Sequence, residues 1–411
     1  MSHRDDANAR RTSRPDLLRR LADDHARRLR EHLLRRVRTI APGDGAWIVV
    51  DGKRLLGFAS NDYLGLARHP ALVEALVSAA QAGGVGAQAA HLLGGHRDEH
   101  ARLEDALARW TGRERALLFS TGYMANVGVM SALLGAGDAC VQDKLNHASL
   151  IDGARLAGCE LRRYVHGDVD SAARQLDTRP EAAALVATDG VFSMDGDIAP
   201  LADLAALCRA QNALLMVDDA HGLGVLGADG AGSVTEAELS QHDVPVLMGT
   251  LGKALGTFGA FVAGSATLID GLVQNARSFV YTTAMPPALA AATCAAIDLA
   301  RDDHERRATL AARIAQFRAG ARARGIALIE SRTPIQPVPV GDSGAALAAS
   351  ARLEDAGFYV PAVRPPTVPR GRARLRLTLS ALHTQSDVER LLDALAIALK
   401  PVNHPSANPM P

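Results

Sequence analysis

Leu214-Leu215-Met216-Val217-Asp218-Asp219-Ala220-His221-Gly222 is an apolar run that ends abruptly in two carboxylates, an imidazole and a glycine. Four large apolar residues without polar alternation suit a strand buried on both faces, and the polar cluster then marks its carboxyl end. The same arrangement repeats on either side. Apolar runs at 116–119, 139–142, 161–165, 183–188, 244–248 and 258–263 alternate with helix-like stretches. Together with 214–217 they predict an α/β fold: a mostly parallel seven-stranded sheet, doubly wound, with helices on both faces. Between 248 and 258 the connection is too short for a helical crossover, so the last two runs are expected to be antiparallel neighbours.

Downstream the pattern changes. After a helical stretch that begins near Pro286, apolar runs at 335–340 and 358–363 flank a helix ending before Gly357. In 373–379, Leu375, Leu377 and Leu379 alternate with Arg374, Arg376 and Thr378, the period of a half-buried strand covered on one side. The expected division is an N-terminal helical arm and segment at 1–58, a large α/β domain at 59–300 and a small C-terminal α+β domain at 301–411.

The 411 residues are 48% hydrophobic but only 4% aromatic, so the interior is built from Ala, Leu and Val. Lys plus Arg and Asp plus Glu number 45 each, which leaves no overall field to draw in nucleic acid or an anionic membrane; any anion site is local. Cys140, Cys159, Cys208 and Cys294 show no C-x-x-C spacing, against both a zinc site and a disulfide framework, so no metal is expected and a reducing cytoplasm fits. No apolar run approaches a membrane span, and the start lacks the apolar stretch of a signal peptide. Residues up to about Ile40 are Arg-rich, with Leu at 17, 18, 21, 29, 33 and 34. They read as a charged amphipathic helix, an arm packing on a neighbour in preference to a nucleic-acid contact.

Ligands of open α/β sheets bind beyond the carboxyl ends of the strands. Ser120-Thr121-Gly122-Tyr123 follows the first run and opens a helix; Asn146-His147 follows the second, Asp189 and Ser193 the fourth, Asp218 and His221 the fifth, Thr250 and Lys253 the sixth. Five distant segments converge on one edge. Gly122-Tyr123 at a helix start offers bare N–H groups and a positive dipole end to a phosphate, and Thr250 adds a hydroxyl. Asp218 at a buried strand tip needs a partner, and a pyridine nitrogen is one that a carboxylate keeps protonated, turning the ring into an electron sink. Lys253, in a Gly-rich turn, forms an imine once burial and nearby cations lower its pKa. His147 then suits the ring face and His221 a ring hydroxyl. Taken singly, an Asp or His here is more often a structural residue and the Lys a solvated one; the joint pattern carries the reading.

Two lookalikes fall away. Gly222-Leu223-Gly224-Val225-Leu226-Gly227 satisfies G-x-G-x-x-G, yet Gly230 and Gly232 stand where the helix of a dinucleotide site should begin. Gly252-Lys253 is followed by Ala254 where a P-loop needs Ser or Thr.

The stretches Val217-Asp218-Asp219-Ala220-His221-Gly222, Thr250-Leu251-Gly252-Lys253-Ala254-Leu255-Gly256 and Gly190-Val191-Phe192-Ser193-Met194-Asp195-Gly196-Asp197 resemble the α-oxoamine synthases, a fold-type I pyridoxal-phosphate family. The resemblance runs from about Ser60-Asn61-Asp62-Tyr63-Leu64-Gly65 to Leu379. It implies condensation of an amino acid with an acyl-CoA, loss of carbon dioxide, and a homodimer with active sites at the interface. Lys253 is then the Schiff-base lysine, Asp218 the partner of the pyridine nitrogen and His147 the residue stacked on the ring. Ser193 and His221 bind the cofactor, and Gly122, Tyr123 and Thr250 hold its phosphate, with Thr282 and Thr283 reaching it from the second subunit. Arg364-Pro365-Pro366-Thr367-Val368-Pro369, 373–379 and Tyr281-Thr282-Thr283-Ala284-Met285-Pro286-Pro287 are most similar to the branch that uses L-alanine and a pimeloyl thioester, carried on CoA or on an acyl carrier protein. That likeness implies Arg35, Thr367 and His147 as substrate contacts and Arg376 as the clamp for the alanine carboxylate. Asp189 departs from the family's usual Glu. Rivals are other synthases of the family, acting on glycine or serine, and a non-catalytic cofactor-binding scaffold.

Overall fold

The computed structural model describes residues 15–400. The seven runs form one sheet from strands β1 (Arg115–Phe119), β2 (Ala139–Asp143), β3 (Glu160–Tyr164), β4 (Ala184–Asp189), β5 (Leu214–Asp218), β6 (Val246–Thr250) and β7 (Ala260–Gly264), in the order β1-β7-β6-β5-β4-β2-β3. Only β7 runs against its neighbours: Ala260 pairs antiparallel with both Thr250 and Phe119. In the parallel part, Asp189 at the end of β4 is in register with Asp218 at the end of β5, so two carboxylates lie side by side at the carboxyl edge. Two apolar clusters cover the faces. Leu117, Phe119, Ala187, Met216 and Met248 point to one; Val141, Val186, Leu215, Val217 and Leu247 point to the other. That division requires the unbroken apolar runs.

The Gly-rich stretch after β5 winds around a carboxylate. Asp219 is fully buried, and its two oxygens accept from Ser233 N at 2.6 Å and Ser233 Oγ at 2.7 Å. A Cβ at Gly222 or Gly232 would collide with the Asp219 carboxylate, and Gly232 also has φ +104°. These glycines are there for close approach to Asp219, which accounts for a nucleotide-like spacing without a nucleotide site.

The C-terminal region departs from expectation in two ways. The run 358–363 is two strands: Phe358–Tyr359 pairs parallel with Lys53–Gly57, while Ala362–Val363 pairs antiparallel with Ala373–Thr378. Pro361 interrupts the donors between them, and its carbonyl accepts from Arg376 N. Trp47–Val50 and Ile40–Pro42 extend the first of these sheets, so the segment preceding the large domain packs with the C-terminal part of the chain. Second, Ala373–Thr378 is buried on both faces, not half-buried. Leu375 and Leu377 face the hydrophobic core, and the other face, with Arg374 and Arg376, is covered by the 193–195 loop that follows β4.

The N-terminal helix is Leu17–Arg30, capped by Asp16, and it buries no residue; Leu17, Leu18, Leu21 and Leu29 are exposed. It stops well short of Ile40. The following stretch lies irregularly along the 364–370 loop, where Arg364 donates to the carbonyls of His32 and Leu34. The earliest part of the Arg-rich arm and the Pro-rich tail after Lys400 lie outside the described residues. Among the described residues no helix is long and apolar enough to cross a membrane.

Candidate active site

At the carboxyl edge a cavity of about 210 Å³ is lined by Gly122, Tyr123, His147, Asp189, Ser193, Asp218, His221, Thr250 and Lys253. The strand-end segments named from the sequence therefore meet at one place. Thr121 caps the helix α1 (Gly122–Leu133) by accepting from Met124 N, which aims the helix's first N–H groups at the cavity. His147 caps the helix α2 (Ala148–Ala157), and its side chain lines the cavity.

Lys253 Nζ lies 2.9 Å from His221 Nε2, and His221 Nδ1 lies 2.7 Å from the Tyr63 hydroxyl. Burial, opposed by the Asp218 and Asp189 carboxylates, brings the Lys253 amine down to about 8. His221 is driven well below the usual imidazole range by burial and then by the Lys253 charge. Tyr63 is pushed up to about 12 by burial. Asp189 is raised well above the usual carboxylate range by burial and then by Asp218 beside it. The cavity thus holds one amine that gives up its proton more readily than an ordinary lysine, a neutral imidazole and a protonation-prone carboxylate.

Asp218 is only 5% exposed. Its Oδ1 accepts from Ala220 N at 3.1 Å and its Oδ2 from Asn126 Nδ2 at 2.7 Å, and no Lys, Arg or His among the described residues forms an ion pair with it. The Lys253 charge acts on it from across the cavity, but no cationic side chain of the described residues contacts it, and a positively charged group arriving from the cavity would take that place.

Arg376, Arg35, Thr367, Thr282 and Thr283 do not line this cavity. Arg376 sits just behind it: Nε donates to Ser193 O at 2.7 Å, and both terminal nitrogens approach Asn61 Oδ1 at 3.3 to 3.4 Å. Arg374 is occupied by Asp195 at 2.6 Å. Arg35 and Thr367 meet each other on the outside of the C-terminal region, 3.2 Å apart. Thr283 bridges to Ala90, holding the 282–284 loop at the surface beside the 87–95 loop. Sequence reasoning assigned no role to Asn126 and Ser149; the available signal was an Asn within the predominantly apolar Gly122–Leu133 helix.

The sequence profile of the family described as Aminotransferase class I and II matches residues 53–395. The chain belongs to the class I and II aminotransferase family. Within this family it is a fold-type I pyridoxal-phosphate enzyme. It is similar to the 8-amino-7-oxononanoate synthase of Marinobacter nauticus, at 58% identity over 92% of this chain and 96% of that one. The protein of the same name from Alkalilimnicola ehrlichii is 56% identical over 93% and 98%. Among solved structures, serine palmitoyltransferase from S. paucimobilis with a bound PLP–myriocin aldimine superposes with TM-score 0.89 at 29% identity, covering 93% of this chain and 98% of that one. The 8-amino-7-oxononanoate synthase of Francisella tularensis gives 0.74 at 30% identity, covering 84% and 97%. In a fold-type I enzyme the donor set fits pyridoxal phosphate: an Asp218 with no contact ion pair for the pyridinium, an amine brought down to about 8 for the aldehyde, and a helix start for the phosphate.

Proposed function

We infer that the chain catalyses the decarboxylative condensation of L-alanine with a pimeloyl thioester to give 8-amino-7-oxononanoate, carbon dioxide and the free thiol, an acyl-transfer step of biotin biosynthesis. The observation that carries this is the 55–58% identity, over most of the chain, to several proteins named for that activity. The donor arrives as pimeloyl-CoA or on an acyl carrier protein, and the protein works as a homodimer.

Bound in the cavity, pyridoxal phosphate supplies the sink for the electron pair left at the amino-acid Cα. Asp218 holds the ring nitrogen protonated through its free carboxylate edge. Gly122, Tyr123 and Thr250 bind the phosphate, joined by Thr282 and Thr283 of the second subunit. Lys253 would hold the cofactor, and its Nζ, when free, would take the alanine Cα proton, a task that suits a buried amine brought to about 8. His221 Nε2, 2.9 Å away, holds Nζ toward the reacting face. Arg376 binds the alanine carboxylate as a fork, and its bond to Ser193 O fixes the angle of approach. Arg35 and Thr367 meet the acyl donor, and His147 covers the ring.

The test is turnover of purified protein with pimeloyl-CoA and with pimeloyl-carrier protein, each against alanine, serine and glycine, read as the amino ketone by mass spectrometry. Alanine with a pimeloyl donor should be preferred by orders of magnitude. A preference for serine with a long acyl donor would move the assignment to the serine palmitoyltransferase type.

A further inference from the structure

Asp218 and His147, which both line the cavity, are joined by a chain of hydrogen bonds through two buried residues so far without a role. Asn126 Nδ2 is 2.7 Å from Asp218 Oδ2 and 2.8 Å from Ser149 Oγ, and Ser149 Oγ is 2.7 Å from His147 Nδ1. Asn126 and Ser149 are both fully buried, so no water competes for these contacts.

The direction of every proton follows from the ends. An Asn amide can meet a carboxylate only with its NH₂ group, so one Nδ2 hydrogen goes to Asp218 and the other to Ser149. The opposite orientation would set Asn126 Oδ1 against the Asp218 carboxylate. In the observed orientation Oδ1 is left buried without a partner, and the structure tolerates that cost to keep both donors on the chain. Ser149 Oγ, having accepted from Asn126, has a single hydrogen left, and it points at His147 Nδ1. Ser149 N also approaches that nitrogen, at 3.4 Å. Two donors aimed at one ring nitrogen require it to carry a lone pair.

We propose that Asn126 and Ser149 are positioning residues that lock His147 in the tautomer with its hydrogen on Nε2, using Asp218 as the anchor. His147 then presents one fixed N–H donor to the cavity, and any substrate atom that meets this edge of the ring must be an acceptor. Asn126 also occupies one lone pair of Asp218 Oδ2, so the carboxylate faces the cofactor in one orientation. The consequence for the cofactor rests on the reading of the cavity as a pyridoxal-phosphate site; the tautomer itself does not.

The experiment is ¹⁵N NMR of histidine-labelled, cofactor-loaded protein, with the His147 signals identified by their loss in His147→Gln. In the unmodified protein Nδ1 should be unprotonated and Nε2 protonated. Ser149→Ala should release the ring to a mixture of tautomers and weaken cofactor binding about tenfold, the effect of one buried hydrogen bond; Asn126→Ala should do the same. A proton on Nδ1 in the unmodified protein overturns the proposal even if neither variant folds. So does an unchanged His147 tautomer in folded Ser149→Ala. Because neither alanine nor a pimeloyl donor is present, failure of the proposed reaction would leave this result standing, and the reverse.

Discussion

His166 offers a stability test with a definite pH sign. Its imidazole lies between two carboxylates, Nδ1 3.0 Å from Asp143 Oδ1 and Nε2 2.9 Å from Asp197 Oδ2, and it ties the end of β2 to the loop that carries Ser193. Burial disfavours its charge, but the hydrogen bonds to Asp143 and Asp197 outweigh burial and lift it from 6.5 to about 10. A folded-state value above the unfolded one contributes stability that is present in full below about pH 6.5 and is lost as pH rises through about 10. Linkage over that shift amounts to about 4 kcal/mol at pH 7 and about 1 kcal/mol at pH 9.5. The side chain is 29% exposed, so these are ceilings. His166→Gln leaves Asp143 its bonds from Leu145 N and Gly167 N, which limits the loss further. Urea unfolding at fixed protein and cofactor concentration should therefore show a gap between parent and variant of roughly 2–4 kcal/mol at pH 7, falling below about 1 kcal/mol at pH 9.5. A gap that is constant with pH, or that widens, would refute the bridging imidazolium.

Because the Lys253 amine is brought to about 8, covalent capture of added pyridoxal phosphate by cofactor-free protein should speed up with pH and level off above about pH 8 in stopped-flow absorbance; a midpoint near that of an ordinary lysine refutes the buried site. Borohydride reduction and peptide mapping should place the adduct on Lys253 alone. Arg376→Lys should retain bound cofactor but raise the alanine concentration needed for half-saturation at least tenfold, because one ammonium cannot keep Ser193 O and bind a carboxylate as a fork; unchanged alanine titration would shift that role to another residue. Arg374→Lys, whose Arg is committed to Asp195, should instead lower stability by about 1–2 kcal/mol in urea unfolding with the alanine titration unchanged. Mixing Lys253→Ala chains with Thr282→Ala/Thr283→Ala chains should regain activity through one intact site per mixed dimer; no rescue after confirmed subunit exchange counts against a shared site.

The large sheet was legible because strands buried on both faces must be continuously apolar, and a run such as Leu214–Asp218 can then end only at a polar edge. The site followed from the same logic, since Asp189, Asp218 and the pair Thr250 and Lys253 are the chemistry that follows such runs. Asn126 and Ser149 were not legible: they act from within helices, and what makes them matter is a contact to residues on other elements. The burial of Arg374 and Arg376 was also hidden, because alternation reports one covered face and cannot tell that Ser193 and Asp195 cover the other. The split at Pro361 escaped for a similar reason, since two short strands bound for different sheets look like one apolar run.

The pairing of Lys53–Gly57 with Phe358–Tyr359 joins segments about 300 residues apart, which has a consequence for a chain made from its N-terminus. Leu55 and Leu56 emerge early in synthesis, yet the strand that lies beside them is made only after the whole large domain has been translated. Until then this edge and the buried side chains behind it have no partner, and they form a transient sticky surface on a nascent chain whose central sheet is already complete. Closure of so distant a contact is slow compared with the local α/β units, so docking of Phe358–Tyr359 is expected to be a late step of folding.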